Sequence, residues 1–545
     1  MNPLYKYYTA EDKELIKHIL NLINSRKFKD AIEIIHNRLS LLNNCTSKTE
    51  YLLKSELAGF LIDIGDEGML KNAVAEGLKL IEQEKENLKG IITEESIEYN
   101  LGNAKSTLFK ILRQESDFKY TPQFIGYLIE SKNHYWKSYK INNDKNGKLK
   151  PKLVINLANT LSSCGRVCES LQYYDLVLKK YPNFPQANAS RAKELLWLKK
   201  ISNVFTQNLI YQSKVGYEKA LMSKNVPIWQ RDIWKKEIIR IGAFLDELGF
   251  NEEEVHKELE ETKKENETLS NYRKYCIDSH LTLSEHSLYC NCKGARRDDL
   301  LICTPSRSFD ADFIPKMEKI LNRLKSELSL ARLLYYYSTE KIENEFNNFD
   351  SEVMFTELFD SEYIGTKSEM LRTSFRLCFG ILDKIASGIC LLFDLADDNE
   401  DIYFVNFWKP NLNNATIKQK ERWEKINSIY NISLVALYTQ ATDLNSKSGE
   451  WYFFKTWRNA LEHNQFVLFS DEEFGNDIFN IYKNNPDIVS VGKEYFINKT
   501  LQMLQLTRSA IFNFVYLVRN EAQKSKPKEG KKIKHTFRFK NDYEL

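Results

Sequence analysis

Glycine and proline are scarce in this chain, 20 and 11 among 545 residues. That removes most of the material of β-turns and favours helices. Long hydrophobic runs are also missing. The longest apolar stretches, such as "GICLLF" at 388–393, fall far short of the roughly 20 residues that span a bilayer. The opening "MNPLYKYYTAEDKELIKHIL" has no basic-then-apolar leader. No excess of one charge exists either: 78 basic against 75 acidic residues leave +3, so any affinity for polyanions has to come from local patches. The nine cysteines are odd in number and follow no framework, which fits a reducing compartment better than a stapled secreted fold. These absences predict a cytoplasmic protein without membrane association. What is present, 42% hydrophobic and 12% aromatic residues, is enough for more than one core at this length.

Residues 1–250 repeat one pattern, two amphipathic helices joined by a short turn with small residues at the crossing points. The clearest copy is "INLANTLSSCGRVCESLQYYDLVLKKYPNFPQA" at 155–187. Leu157, Ala158 and Leu161 mark its first helix, Gly165 and Arg166 the turn, and Ser170, Tyr174 and Val177 the second helix before Pro182. Small residues let two helices approach while large ones bury the seam to the next pair. The stretch resembles a tetratricopeptide repeat. "YNLGNAKSTLFKIL" at 99–112 and "LLKSELAGFLIDIG" at 52–65 read as degenerate copies, because Leu57, Leu101 and Leu157 are 44 and 56 residues apart. Such arrays present a concave face for a protein or small ligand, a place for a trigger. The insertion "HYWKSYKINNDKNGKLKPKL" at 134–153 interleaves aromatics with lysines, a pattern that suits nucleic acid or, more plainly, a solvated linker.

A hinge and connector are expected at 251–310, beginning with the acidic helix "NEEEVHKELEETKKENETLSN" at 251–271. Cys276, His280, His286, Cys290, Cys292 and Cys303 follow, ligand types that zinc accepts. The Cys290-x-Cys292 pair lacks the usual two to four intervening residues, and buried free cysteines with solvent-facing histidines account for the same letters. Neither a metal site nor a cofactor is therefore expected. Arg273 and His280 form an arginine–histidine pair here, without a long helix around it.

From 311 to 523 the spacing predicts an all-α bundle. One helix is expected at 311–340, with Phe313, Met317, Ile320, Leu324, Leu328, Ala331 and Tyr335 inward. A second should open with the capping-box spelling "TKSE" at Thr366–Glu369. Behind it Leu371, Phe375, Cys378, Leu382, Ile385, Ile389 and Leu392 form an apolar stripe. A third is expected at about 416–444, a fourth around 450–469, and a fifth at about 488–522.

The fourth helix contains "WRNALEHNQF" at 457–466. Trp451, Phe454, Trp457, Leu461 and Phe466 should pack inward. Asn459 and His463, four apart, share a face. Arg458 and His463 are five apart, roughly 140° around the axis, so one helix does not close a site. A two-fold dimer, the commonest oligomer symmetry, would join two such helices in one cleft. An arginine fork grips phosphate oxygens, a histidine moves protons near neutral pH, and an asparagine holds a phosphate oxygen or orients the imidazole. Together they suit attack of an RNA 2′-hydroxyl on its own phosphate, without metal. The plainer reading is an Arg458–Glu462 bridge on a wet face. Chance alone supplies about 0.3 arginine–x4–histidine pairs in such a chain.

Arg458-Asn459-Ala-Leu-Glu-His463 on a late helix of a bundle resembles the signature of HEPN domains (higher eukaryotes and prokaryotes nucleotide-binding). "LKSELSLARLLYY" at 324–336, "FRLCFGILDKIA" at 375–386 and "NISLVALYTQATDL" at 431–444 look like helices of a bacterial HEPN branch fused to tetratricopeptide-like repeats. The resemblance implies a dimeric, metal-independent endoribonuclease, a toxin or antiviral effector. Arg458 and His463 would be its catalytic pair and Asn459 its polar helper. It also admits members that bind nucleotides or RNA without cutting, and members that modify partners. The cysteine-rich connector departs from the family pattern. The tail at 524–545 begins "KSKPKEGKKIKHTFRFKND", with eight basic residues against two acids, and would draw RNA by phosphate contacts or serve as a solubilising tail. Two rival readings are a repeat scaffold with the bundle as dimerisation module, and a regulator that binds a mononucleotide in the Arg–His cleft.

Overall fold

The computed structural model describes residues 7–524 apart from 43–44, 118, 204–205, 225, 303–312, 340–349, 357–361, 410–414, 470–484 and 486–487. By packing, the chain divides into two compact units, one of Met1–Cys164 with Gln172–Pro182 and one of Gly165–Leu171 with Asn183–Leu545.

The first unit is a succession of helices, each packed on the next: α1 (Ala10–Asn24), α2 (Phe28–Leu41), α3 (Lys48–Gly68), α4 (Lys71–Leu88), α5 (Glu94–Glu115), α6 (Gly126–Asn146) and α7 (Pro151–Ser163). Helix α8 (Val167–Lys180) follows. Local chemistry sets the starts: Thr9 and Thr93 cap α1 and α5, and Ser47 with Glu50 closes a full capping box on α3, which satisfies amide donors that have no carbonyl four residues back. Small residues lie at two of the crossings. A Cβ on Gly77 would come 2.6 Å from the Ala58 carbonyl, and one on Gly102 would meet the Tyr135 ring at 2.8 Å.

The insertion at 134–153 is neither linker nor stacking platform. Its first part continues α6, and Tyr135, Trp136 and Tyr139 pack against Leu153, Leu157 and Leu161. Lys137 pairs with Glu94 and Glu98, and Lys150 with Glu95. Spacing of three and four placed these rings on one helix face, and burying them outweighs leaving them in water.

In the second unit α9 (Pro185–Ser202), α10 (Gln207–Leu221), α11 (Ile228–Glu247), α12 (Glu252–Asn266) and α13 (Asn271–Asp278) precede the connector. The bundle proper is α14 (Ile314–Thr339), α15 (Thr366–Phe393), α16 (Ile417–Asn427), α17 (Ile432–Asn445), α18 (Tyr452–His463) and α19 (Lys493–Lys524). Helix α19 is its axis, packed on α14, α15 and α17. The stripe on α15 is buried at Leu371, Phe375, Cys378, Leu382, Ile385 and Ile389, and Leu392 is half-buried. On α14, Leu321 rather than Ile320 completes the buried row. The end of α9 docks on α19, where Arg519 donates to the Ser202 carbonyl at 3.0 Å and Asn203 to Asn520 at 2.7 Å.

Three expectations for the bundle are corrected. Thr366 is not a cap: Gly365 precedes the helix at φ +107°, and the Thr366 amide and hydroxyl both donate to Asp350 Oδ1, at 2.8 and 2.6 Å. The helix at 416–444 is two helices broken at Ser428–Asn431. There Asn431 caps α17 with its side-chain oxygen and donates to Glu521 at 2.6 Å. The helix around 450–469 ends at His463. Asn464 turns extended, and "QFVLF" forms β1 (Gln465–Phe469), which pairs in parallel with β2 (Ile488–Gly492) in the register Gln465↔Ile488. The start expected for the last helix is that strand. Aromatic and β-branched side chains suit a half-buried pleat better than a helix surface.

The connector is held by arginines. Arg332 of α14 is 3% exposed and donates to the Leu281 carbonyl and to Asp298 Oδ1, both at 2.9 Å. Arg273 joins the same carboxylate at 3.3 Å, so the second arginine–histidine pair of the sequence is occupied by structure. Burial would raise the Asp298 pKa, but Arg332 and Arg273 outweigh it and hold the group at about 2. A folded pKa below the ordinary 3.8 gives stability that is present above about pH 4 and lost as pH falls towards 2. Asp298→Asn is expected to cost about 2 kcal/mol near pH 6 and much less near pH 2.5, read by urea unfolding at each pH. An equal gap at both would contradict this assignment.

Candidate functional site

Helix α18 is placed by its aromatic side. Trp451, Phe454 and Trp457 are buried, with Phe454 5.4 Å and Trp457 6.0 Å from the Phe375 ring, and Trp457 5.4 Å from Phe496 and 5.8 Å from Phe466. At about 100° per residue, fixing Phe454 and Trp457 inward leaves positions 459 and 463 on the far side and 458 at the edge. The structure follows this: Asn459 and His463 are exposed and Arg458 is half-buried. Leu461, expected inward, is half-buried.

Arg458 does not bridge to Glu462. Its Nη2 lies 3.6 Å from Asp383 Oδ2 on α15, and its guanidinium carbon stands 5.7 Å from the Phe379 ring and 5.6 Å from the Tyr403 ring. Asp383 is itself fixed, because Oδ1 accepts the Phe404 amide at 2.8 Å. Burial raises the Asp383 pKa, opposed by the Phe404 amide and by Arg458. The guanidinium is thus held at one edge by a carboxylate and flanked by rings, and 29% of the side chain remains open to solvent. Five N–H donors in a fixed fork allow such a group to keep Asp383 and still offer a second edge to an anion.

A single chain brings Asn459 and His463 to one side and leaves Arg458 on another. Sequence reasoning missed Asp383 and Tyr403. The first carried a faint signal, a carboxylate directly after Leu382 in an otherwise apolar stripe. Tyr403, 44% exposed, lies in an irregular segment (401–409) where periodicity says nothing.

Of the six ligand-type residues in the connector, three converge: His286, Cys290 and Cys292 have their donor atoms within 4.8 Å of one another. Cys276 is buried on α13 beside Tyr272 and Arg332, and neither it nor His280 belongs to that group. Cys303 and the tail from 525 onward lie outside the described residues. Among the described residues no helix is long and apolar enough to cross a membrane.

The model of the LA2681-like HEPN family matches residues 309–521. No curated protein and no solved structure matches the chain.

Proposed function

Because residues 309–521 carry an LA2681-like HEPN domain, we propose that the protein is a metal-independent endoribonuclease working as a dimer, with Arg458, Asn459 and His463 in a cleft shared by two α18 helices. The observation that carries this reading is the division of labour on α18: an arginine anchored by Asp383 with one edge open, and an exposed asparagine and histidine with no hydrogen-bond partner among the described residues. His463 takes the proton of the ribose 2′-hydroxyl as that oxygen attacks the adjacent phosphorus. The bond to the 5′-oxygen breaks, and that oxygen regains a proton from an imidazolium. Arg458 stabilises charge on the non-bridging oxygens, and Asn459 orients phosphate or imidazole. The repeats serve as the docking or sensing part, and the basic tail draws in RNA. The setting is defence or toxin-type growth arrest in the cytoplasm.

The test is cleavage of total and defined RNAs by the purified protein in excess EDTA. The expected products end in 2′,3′-cyclic phosphate, because the nucleophile is internal. Cleavage only with added Mg2+, or products with plain 3′-hydroxyl ends, would remove this mechanism. A dimer that neither binds nor cuts RNA yet captures one protein would favour the scaffold, and calorimetry with ATP, GTP and cyclic nucleotides would reveal a nucleotide regulator.

A further inference from the structure

The connector holds a second cluster that this chemistry does not use. Two single-turn helices, His286–Leu288 and Lys293–Arg296, fold the chain back on itself. The His286 Nδ1 comes within 3.1 Å of Cys292 Sγ and 3.9 Å of Cys290 Sγ, and the two sulfurs are 2.9 Å apart. The Tyr289 hydroxyl reaches the same Nδ1 at 3.3 Å. One imidazole nitrogen has one lone pair, so it cannot accept from all three neighbours at once. Three electron-rich atoms facing one another need either a proton or a cation between them. Two soft sulfur ligands and an imidazole thus share one small space.

We propose that His286 Nδ1, Cys290 Sγ and Cys292 Sγ bind one thiophilic divalent cation of the zinc class. Zinc–sulfur bonds of about 2.3 Å in tetrahedral geometry set two sulfurs about 3.7 Å apart. The pair therefore has to part by less than about 1 Å, within the reach of side-chain rotation. Each cysteine binds as thiolate, its proton going to solvent as the sulfur bonds the metal. Three protein ligands leave the fourth position to water.

The surroundings say what such a cation would do. Tyr289 is hydrogen-bonded to Thr206 at 2.9 Å, Ser287 to Arg508 at 2.9 Å, and Glu285 to Arg519 at 2.8 Å. Arg508 and Arg519 belong to α19 and Thr206 caps α10. A cation at 286–292 would therefore stiffen the loop that those two helices grip. The Cys-x-Cys spacing looked wrong for zinc because it lacks the usual two to four intervening residues. Here a histidine four residues before Cys290 closes the set from one loop.

The experiment uses the reduced, chelator-stripped full-length protein titrated with Co2+. The expected result is one bound cobalt per chain with thiolate-to-cobalt charge-transfer absorption in the near ultraviolet, bleached by Zn2+ and lost in Cys290→Ser/Cys292→Ser. In the unmutated protein Zn2+ should shield Cys290 and Cys292 from alkylation, read by peptide mass spectrometry, so the result does not depend on how the variant folds. Absence of the band in the reduced wild type overturns the proposal. So does a band that persists in the double variant, alkylation of both cysteines in the Zn2+-loaded unmutated protein, or recovery of the pair as a disulfide under the same reducing conditions. RNA cleavage in EDTA is a separate readout, so either reading can fail without the other.

Discussion

Replacing His463 by alanine is expected to slow RNA cleavage about 10²–10⁴-fold, the range supplied by a positioned general acid or base. Arg458→Ala should cost about 10²–10³-fold, as expected when a preorganised donor to developing charge is removed. Neither change should move the unfolding midpoint much. Helix α18 is held by Trp451, Phe454 and Trp457, and the side chain of His463 reaches into solvent. Loss of activity with an unchanged midpoint would separate chemistry from folding. Arg458→Lys should fail almost as badly as alanine, because a compact ammonium cannot keep Asp383 on one edge and a phosphate on another. Asp383→Asn is the informative neighbour. It leaves the arginine in place with a weaker tether, so its effect should be smaller than that of Arg458→Ala.

Asp443→Ala should destabilise the second unit by about 3 kcal/mol, the low end for breaking a buried ion pair, because the guanidinium keeps Glu169. Arg166 is 1% exposed and Asp443 is fully buried. The guanidinium is shared between Asp443 Oδ2 and Glu169, with its Nε 3.0 Å from Glu169 Oε1. The same Oε1 accepts from Gln440 at 2.7 Å and from Ser509 at 2.9 Å. Burial works against the Arg166 charge, and Glu169 and Asp443 outweigh it, holding the pKa well above its ordinary value. The turn that delivers this arginine needs Gly165. Its φ is +81°, and a Cβ there would stand 2.7 Å from the Ile432 carbonyl. Urea unfolding followed by tryptophan fluorescence checks the prediction, and a change below about 1 kcal/mol, the worth of an exposed pair, would contradict it.

Repeated local signals were legible in the sequence. The α15 stripe and the aromatic side of α18 both follow from a period near 3.6, which burial enforces. What escaped was set by tertiary partners. "TKSE" at 366 and "SKTE" at 47 share a spelling, yet only the second is a capping box, because Asp350 takes Thr366 away from the first. "QFVLF" continues a helical pattern on paper and becomes a strand because β2 lies beside it. The Gly165-Arg166 turn was visible, but its ion partner lies 277 residues away at Asp443. At the candidate site the chemistry-bearing letters Arg458, Asn459 and His463 could be read from spacing. The carboxylate that orients the arginine could not, since Asp383 is 75 residues upstream and no local rule links the two.

The measurement that bears most directly on a shared cleft is activity of a mixed dimer. Arg458→Ala and His463→Ala chains carrying different tags are co-expressed, and dimers with one chain of each are isolated by sequential affinity steps. Such a dimer keeps one arginine and one histidine. The expected result is RNA cleavage well above that of either variant alone and below wild type, with cyclic-phosphate ends. Mixed dimers as inactive as the two parents, or a wild type that cleaves fully as a monomer, would contradict the account.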